Sequence, residues 1–195
     1  MRNPVVIGDR IYLRAFEAED AMVLAEASHY ETETFMDRGR PLVDPIETDS
    51  WIRRLYDGPE QAKFAVCLFE NDECIGLVGL EHIDLVNRVG ETGTSLHNPA
   101  YRGRGYGTEA KDLILEYAFH RLYLERITSF VFEPNTRSAA ALAKQGYTPA
   151  GRLKFDEMKE GRFQDFLAFD LTRDDWLVAR DRRRKRRDGR DSYQE

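Results

Sequence analysis

The sequence has few of the residues that join chain segments covalently or bind metal ions. Only two cysteines, Cys67 and Cys74, occur among 195 residues. Both lie in apolar, strand-like segments, so we expect two buried thiols rather than a disulfide or a metal pair. The four histidines lack the spacing of metal ligands, and we therefore expect no metal site.

Long hydrophobic runs are also missing. No apolar segment approaches the roughly 18 residues that a membrane span needs. The first ten residues, MRNPVVIGDR, lack the apolar region of a secretion signal, so we expect a cytoplasmic protein with no membrane partner. With 42% hydrophobic and 33% charged residues, the chain is typical of one folded domain rather than of a disordered segment.

Two common nucleotide-binding motifs are absent from the glycine-rich segment YRGRGYGTEA, residues 101–110. A P-loop needs Lys and then Ser or Thr after its last glycine, but Gly107 is followed directly by Thr108. The dinucleotide pattern G-x-G-x-x-G begins with Gly103 and Gly105, yet Thr108 stands where its third glycine belongs. A nucleotide-dependent oxidoreductase therefore fits poorly, although it remains an alternative.

The same segment nevertheless predicts an anion site. Glycines let the backbone approach a ligand closely, and the helix expected to follow offers free N–H groups at its positive end. Arg102 and Arg104 add positive charge. The plain alternative is a turn between a strand and a helix, with no ligand.

Periodicity predicts a mixed α/β fold of the α+β type, with a largely antiparallel sheet of about six to seven strands and about four helices. The predicted strands are residues 10–16, 63–70, 74–85, 89–96, 125–133, 147–155 and 162–172, and the predicted helices are residues 17–29, 45–56, 106–118 and 136–145. Asn135 can cap the last of these helices, and Gly146 suits the position just after it. The two strands on either side of the third helix should pair in parallel or splay apart.

Charge is unevenly distributed along the chain, which carries a net charge of −6. Residues 180–195 hold eight basic and four acidic side chains, whereas residues 17–49 hold ten acidic side chains against Arg38 and Arg40. The acidic region can attract a cationic ligand or be a solvated face. The basic tail can contact nucleic acid or the ribosome, although a solvated charge run is the commoner explanation.

A third pattern, R-x-x-G-x-G, does fit the glycine-rich segment, through Arg102, Gly105 and Gly107. With this pattern the sequence resembles the GCN5-related N-acetyltransferases (GNAT), in which the loop wraps the pyrophosphate of acetyl-CoA. Four blocks, in the order of the family, extend the resemblance to the RimJ/RimL-like branch that acetylates ribosomal-protein N-termini. They are GDRIYLRAFEAED, GETGTSLHNPAYRGRGYGTEA, NTRSAAALAKQGYTPAGRLK and GRFQDFLAFDLTRDDW.

This resemblance implies a single acetyltransferase domain over residues 1–176, with splayed central strands, and a charged tail over residues 177–195. It also implies which residues bind acetyl-CoA. The expected contacts are Leu96, His97, Arg102, Gly103, Arg104, Gly105, Tyr106, Gly107, Thr108, Asn135 and Ser138. Within this set, a backbone N–H near Leu96 is the expected oxyanion donor. Asn135 can instead serve only as a helix cap.

The resemblance further suggests the catalytic residues of direct amine attack on a thioester. Leu142 stands where many members place an acidic tyrosine, so Ser138 is the candidate for assisting the leaving thiolate, with helix capping as its structural alternative. Glu157 is the first candidate for the general base and Glu91 the second. Glu81 and His82 are weaker candidates, and for Glu81 we favour a surface ion pair.

The acceptor is the least defined part of this prediction. In the resembling family the first two helices build its site, and in this chain they fall in the acidic region 17–49. We therefore expect a cationic primary amine: a protein or peptide N-terminus, a polyamine or an aminosugar. A non-catalytic acetyl-CoA-binding module is the alternative function, and the resemblance leaves a homodimer open.

Overall fold

The computed structural model describes residues 1–27, 45–159 and 161–191, with the side chains of 156, 157, 159 and 186–191 left undescribed. The strands are β1 Pro4–Ile7, β2 Ile11–Arg14, β3 Ala62–Leu68, β4 Cys74–Asp84, β5 Val89–Leu96, β6 Arg126–Phe132, β7 Thr148–Lys159 and β8 Arg162–Thr172. The helices are α1 Asp20–Ala27, α2 Pro45–Arg54, α3 Tyr106–His120, α4 Thr136–Gln145 and α5 Arg173–Asp191.

All eight strands form one sheet in the order β1-β2-β3-β4-β5-β6-β8-β7. Every neighbouring pair is antiparallel except β5 and β6, which are parallel. The predicted mixed, mostly antiparallel sheet is therefore confirmed, with a slightly higher strand count than expected. The additional strand, β1, has four residues and is too short to show a clear alternation in the sequence.

The parallel pair β5–β6 is the discontinuity of the sheet. Its ladder contains three residue pairs, the last of which joins Glu91 to Thr128. Beyond that point β5 continues to Leu96 and β6 to Phe132 without pairing to each other. The central strands therefore splay, as the sequence predicted.

The sheet buries a hydrophobic core on each face. On one face, α3 packs its residues Ile114 and Leu115 against strand residues that include Leu13 and Val78. On the other face, α1 and α2 cover a smaller core that contains both cysteines, which are buried free thiols as predicted. The sheet therefore has two faces, each with its own helices, from which a molecule can reach the gap between β5 and β6.

Short-range signals account for the ends of the helices around the splay. Gly105 precedes α3 with a left-handed φ of +86°, a conformation that glycine adopts without steric cost. The Asn135 side chain accepts a hydrogen bond of 3.1 Å from the backbone N–H of Ser138, which caps α4. Gly146 ends α4 with φ +103°. The predicted cap and the predicted terminal glycine are both present.

Helix α5 extends the fold beyond the predicted strands. Trp176 is 1% exposed, and its ring centroid lies 5.1 Å from that of Phe119 on α3. Arg183 donates to the Asp112 carboxylate of α3 at 2.9 Å and to the Lys144 carbonyl of α4 at 3.2 Å. The helix runs across residue 177, where a charged tail was expected to begin, and this division of the chain stays a prediction.

Among the described residues, no helix has the length and hydropathy to cross a bilayer.

The burial of Trp176 gives the first prediction. Replacing Trp176 with Ala should lower the free energy of unfolding by about 3–5 kcal/mol, because a large aromatic side chain leaves a cavity against α3. Urea denaturation measures this change. Val178→Ala is the matched control, since Val178 lies on the same helix but is 52% exposed, and it should change stability by less than about 0.5 kcal/mol. Equal losses in the two variants would contradict this packing role.

Candidate functional site

A cleft of about 450 Å³ opens where β5 and β6 separate. It is bounded by the end of β5, the glycine-rich loop, the first turns of α3 and one side of α4. Eight of the residues predicted to contact the cofactor line it, namely Leu96, Arg102, Gly103, Gly105, Gly107, Thr108, Asn135 and Ser138. His97, Arg104 and Tyr106 are not among the described lining residues, although they adjoin them in sequence.

The glycine-rich loop presents its backbone to this cleft. Gly103 has φ +77° and Gly105 has φ +86°, so both need the left-handed conformation that side chains disfavour. The loop leads into the first turn of α3, whose N–H groups and dipole favour an anion. This geometry suits an anion, and the diphosphate contact that the resemblance implies stays a prediction.

A partly exposed ion pair that the sequence analysis missed holds the loop in place. One oxygen of Glu109, on the first turn of α3, accepts hydrogen bonds from the backbone N–H groups of Asp9, Arg10 and Ile11 at 2.7–3.3 Å. The Arg10 guanidinium pairs with Glu109 at 2.8 Å and donates to the Arg104 carbonyl at 2.9 Å. The turn between β1 and β2 is thereby fixed to the loop. The sequence did not predict this pair because Arg10 and Glu109 are 99 residues apart.

Arg102 also contributes structure as well as charge. Its guanidinium donates to the Leu96 carbonyl from two nitrogens, at 3.1 Å each. This contact fastens the end of β5 to the loop across the mouth of the cleft. The Leu96 carbonyl therefore already accepts hydrogen bonds from Arg102. The expected role of a backbone N–H near Leu96 as the oxyanion donor stays a prediction.

Two buried polar atoms near the end of β5 have no hydrogen-bond partner among the described residues. They are the Thr94 hydroxyl oxygen, in the wall of the cleft, and the His97 Nε2, which is outside the lining. Burial, followed by the positive charge of Arg102, lowers the pKa of His97 to about 4, so its ring is neutral at pH 7. Buried polar atoms normally find partners. A ligand with amide groups in the cleft would supply a partner for the Thr94 hydroxyl.

At the inner end of the cleft lies a buried cation, Lys111. Its ammonium donates to the Thr92 carbonyl at 3.2 Å, to the Thr92 hydroxyl at 2.8 Å and to the Ser129 hydroxyl at 3.3 Å. Burial lowers the pKa of Lys111 to about 7, and the negative charge of Glu91 opposes part of this shift. The predictions did not include this residue, although its spacing of four and seven residues from Leu115 and Ala118 places it on a buried helix face.

The predicted acid and base candidates are distributed over both sides of the sheet. Ser138 and Leu142 line the cleft, so the family's tyrosine position is filled by an apolar side chain. Successive strand residues point to opposite faces. Since Thr92 contacts α3, Glu91 points to the face that α1 and α2 cover. The side chain of Glu157 lies outside the described residues, and its role stays a prediction.

Glu91 belongs to a polar cluster on that second face. His82 Nδ1 lies 3.2 Å from the Glu91 carboxylate, and Glu81 stands opposite Glu91 in the β4–β5 ladder. Glu81 forms an ion pair with Lys63, as favoured from the sequence. Glu81, His82 and Glu91 bring three ligand-type atoms within 4.8 Å of one another. The cluster is exposed at His82, and the expected absence of a metal stays a prediction.

The acidic region expected to bind the acceptor is only partly described. Glu31 and Glu33 lie outside the described residues. Of the others, Asp20 is buried and bonded to Arg14 at 2.6 and 2.8 Å, and Glu17 pairs with Arg2. Much of the described acidic charge is therefore neutralised within the fold.

Comparison with known proteins decides the family. A family model described as an acetyltransferase (GNAT) domain matches residues 10–148. The chain belongs to the GNAT acetyltransferase family. N-acetyltransferase p20 of Bacillus licheniformis, which is uncharacterized, is 31% identical over 167 residues, covering 84% of this chain and 93% of p20. The predicted enzyme class, an N-acetyltransferase, is confirmed, and the oxidoreductase alternative is wrong.

Solved structures of GNAT acetyltransferases share the fold. RimJ of Mycobacterium smegmatis, in complex with CoA-disulfide, has a TM-score of 0.76 at 22% identity, covering 84% of this chain and 82% of that chain. A chimera of the spermidine N-acetyltransferase SpeG from Vibrio cholerae and hSSAT has a TM-score of 0.78 at 22% identity, covering 87% and 99%. The putative ribosomal N-acetyltransferase YdaF of Bacillus subtilis is 26% identical over 184 residues, covering 87% of this chain and 95% of YdaF, and this relative supports the predicted RimJ-like branch. Acetyl-CoA is the donor that the GNAT family uses.

The Glu109 contacts give a second prediction for this acetyltransferase. Glu109→Ala should lower the free energy of unfolding by about 1–3 kcal/mol, because three backbone N–H groups lose their acceptor. It should also weaken acetyl-CoA binding in calorimetry, since the loop is no longer fixed to the β1–β2 turn. Glu116→Ala is the control on the same helix, where surface pairs are worth about 0–1 kcal/mol. Unchanged acetyl-CoA affinity in Glu109→Ala would contradict the role of this contact in the loop.

Proposed function

We propose that this protein transfers the acetyl group of acetyl-CoA to a primary amine of a cationic molecule, by direct attack while both substrates are bound. The observation that carries the proposal is the placement of two different sites on the two faces of the splay. The cleft lies on the α3 face and the Glu91 cluster on the opposite face. Beyond the last β5–β6 pair, Glu91–Thr128, the strands separate, and there an amine bound on one face would reach a thioester bound on the other.

The cleft supplies what a coenzyme A thioester requires. Backbone N–H groups from Gly103 to Thr108 would hold the diphosphate at the start of α3. Arg137 and Lys144 of α4 line the same cleft and would add positive charge toward the phosphates. The unpartnered Thr94 hydroxyl lies farther in, where the amide-containing arm would extend.

The opposite face supplies an acceptor for the amine proton. In the transfer, the amine nitrogen forms a bond to the acetyl carbon, the carbon–sulfur bond breaks, and the CoA sulfur leaves as a thiolate that takes up a proton. Glu91 would accept the proton of the amine, directly or through a water, and His82 at 3.2 Å would orient its carboxylate. Ser138, in the cleft wall, would stabilise the thiolate by hydrogen bonding, because a serine hydroxyl is a weak acid.

The chemistry of this face favours a cationic acceptor. Glu81 and Glu91 place two carboxylates side by side. Lys63 Nζ lies 5.5 Å from the ring centroid of Trp51 on α2, so an aromatic ring on this face already contacts an ammonium. A polyamine is the first probe, since the SpeG chimera of similar fold is a spermidine N-acetyltransferase.

The acceptor class gives a third prediction. The value of kcat/KM should be at least about tenfold higher for spermidine than for a neutral monoamine of similar length, a difference of about 1.4 kcal/mol in transition-state binding. CoA release measures both, with N-terminal peptides and aminoglycosides as further acceptors. A neutral amine as the best substrate would overturn the cationic class. Acetyl-CoA binding without turnover on any acceptor would favour a non-catalytic module.

The general base gives a fourth prediction. Glu91→Gln should reduce kcat by about 10²- to 10⁴-fold and leave the KM for acetyl-CoA nearly unchanged, because the lost group takes a proton but does not hold the donor. Glu125→Gln is the matched control, since this exposed glutamate pairs with Arg88 outside the cluster, and its kcat should change by less than about threefold.

A third variant separates the two candidate bases. Glu157→Gln tests the first base predicted from the sequence. If Glu157→Gln lost all turnover while Glu91→Gln kept a normal rate, Glu157 and not Glu91 would be the general base.

A further inference from the structure

Lys111 is a buried cation that the proposed reaction does not yet use. Its side chain extends from α3 to the inner end of the cleft, and the residue is 8% exposed. No carboxylate of the described residues lies within ion-pair distance of its ammonium. Its partners are three neutral oxygens of Thr92 and Ser129.

Such a group is costly to the folded state. Removing an ammonium from water without a counter-charge is unfavourable, and an apolar side chain of similar volume usually stabilises a core more. The position of Lys111 therefore needs a reason other than stability. Its contacts with both diverging strands provide one.

The contacts of Lys111 lie one residue past the end of the parallel ladder. The last pair is Glu91–Thr128, and Thr92 and Ser129 are the next residues of the two strands. The Thr92 carbonyl accepts from Lys111 at 3.2 Å and from the Ser129 hydroxyl at 2.9 Å. In a continuing ladder a carbonyl directed at β6 would accept a backbone N–H of that strand. Side chains replace that ladder bond here, which satisfies the carbonyl while the strands separate.

We propose that Lys111 is a positioning residue that holds β5 and β6 apart at the inner end of the cleft and presents its positive charge to the acyl end of bound acetyl-CoA. The inference rests on the proposed donor. Inside a protein a fixed charge acts more strongly than in water. Neither Leu142 nor Ser138 supplies a strong acid on this wall, so the Lys111 charge is available to favour the electron-rich sulfur.

The charge of Lys111 depends on pH in the physiological range. Burial lowers its pKa to about 7. The titratable group beside it on the α3 face is Tyr147, which precedes β7 and whose hydroxyl lies 2.9 Å from the Thr92 hydroxyl. Glu91 of β5 points to the opposite face of the sheet, and its negative charge acts on Lys111 across the strand. Burial raises the pKa of Tyr147, so it stays neutral, and Glu91 is the group that favours the protonated lysine.

Binding and stability should therefore respond to pH with opposite signs. Below about pH 7 Lys111 is charged, so acetyl-CoA binding should be tight, and it should weaken as the pH rises through that value. In the unfolded chain a lysine keeps a pKa of about 10.4. Between about pH 7 and 10 the unfolded chain thus binds the extra proton, and the Lys111 contribution to stability increases with pH. A residue with only a packing role would not separate the two quantities.

The test measures binding of S-acetonyl-CoA, a non-hydrolysable thioether analogue of acetyl-CoA that keeps the sulfur, by calorimetry between pH 6 and 8.5, without an acceptor. For the wild type the Kd should rise about tenfold over this range, the change that one unit of pKa difference between free and bound protein produces. Lys111→Met should bind more weakly with a flat pH profile, and Lys111→Arg, which stays charged, should bind with a flat profile and a lower Kd than Lys111→Met.

Two further variants complete the test. Lys144→Met removes another lysine of the cleft wall and should keep the wild-type pH slope. Thr92→Val, which removes the Lys111 partner at 2.8 Å, should weaken binding even if Lys111→Met does not fold. Wild-type affinity and slope in Lys111→Met, or an unaltered affinity in Thr92→Val, would overturn the inference. Failure of the wild type to bind the analogue at any pH would instead overturn the proposed donor.

Discussion

The termination of the β5–β6 ladder after three pairs is the constraint on which the site depends. A continuous sheet would satisfy its own backbone and leave no room for a ligand between strands. Because the two strands diverge, one wall of β5 faces the cleft, and the glycine-rich loop at its end comes to lie beside α4. The cleft on the α3 face is a consequence of this divergence, whereas the Glu91 cluster on the other face is built on the paired strands β4 and β5.

Much of the fold and of the donor site follows from local sequence signals. The positive φ values of Gly103 and Gly105 and the capping contact of Asn135 concern residues that are neighbours in sequence. Such features depend on few atoms, so a short motif predicts them. The strand and helix order could likewise be predicted, because each element except β1 and α5 carries its own periodicity.

What the sequence did not predict depends on contacts between distant residues. Glu109 is 99 residues from Arg10, and Lys111 reaches Ser129, 18 residues away. In the sequence alone, Glu109 and Lys111 have the pattern of ordinary charged residues in the first turns of a helix. Their burial is decided by the packing of α3 against the sheet, which is a tertiary property. The acceptor face is harder still, since it combines residues of α2, β3, β4 and β5.

The position of helix α5 at the end of the chain affects when the packing of α3 and α4 can be completed during synthesis. Trp176, Arg180 and Arg183 pack on α3 and α4, yet they are synthesised after every residue that they cover. Chains fold progressively as they leave the ribosome. The surfaces of α3 and α4 that these residues cover therefore stay exposed until the last residues of the domain have been synthesised.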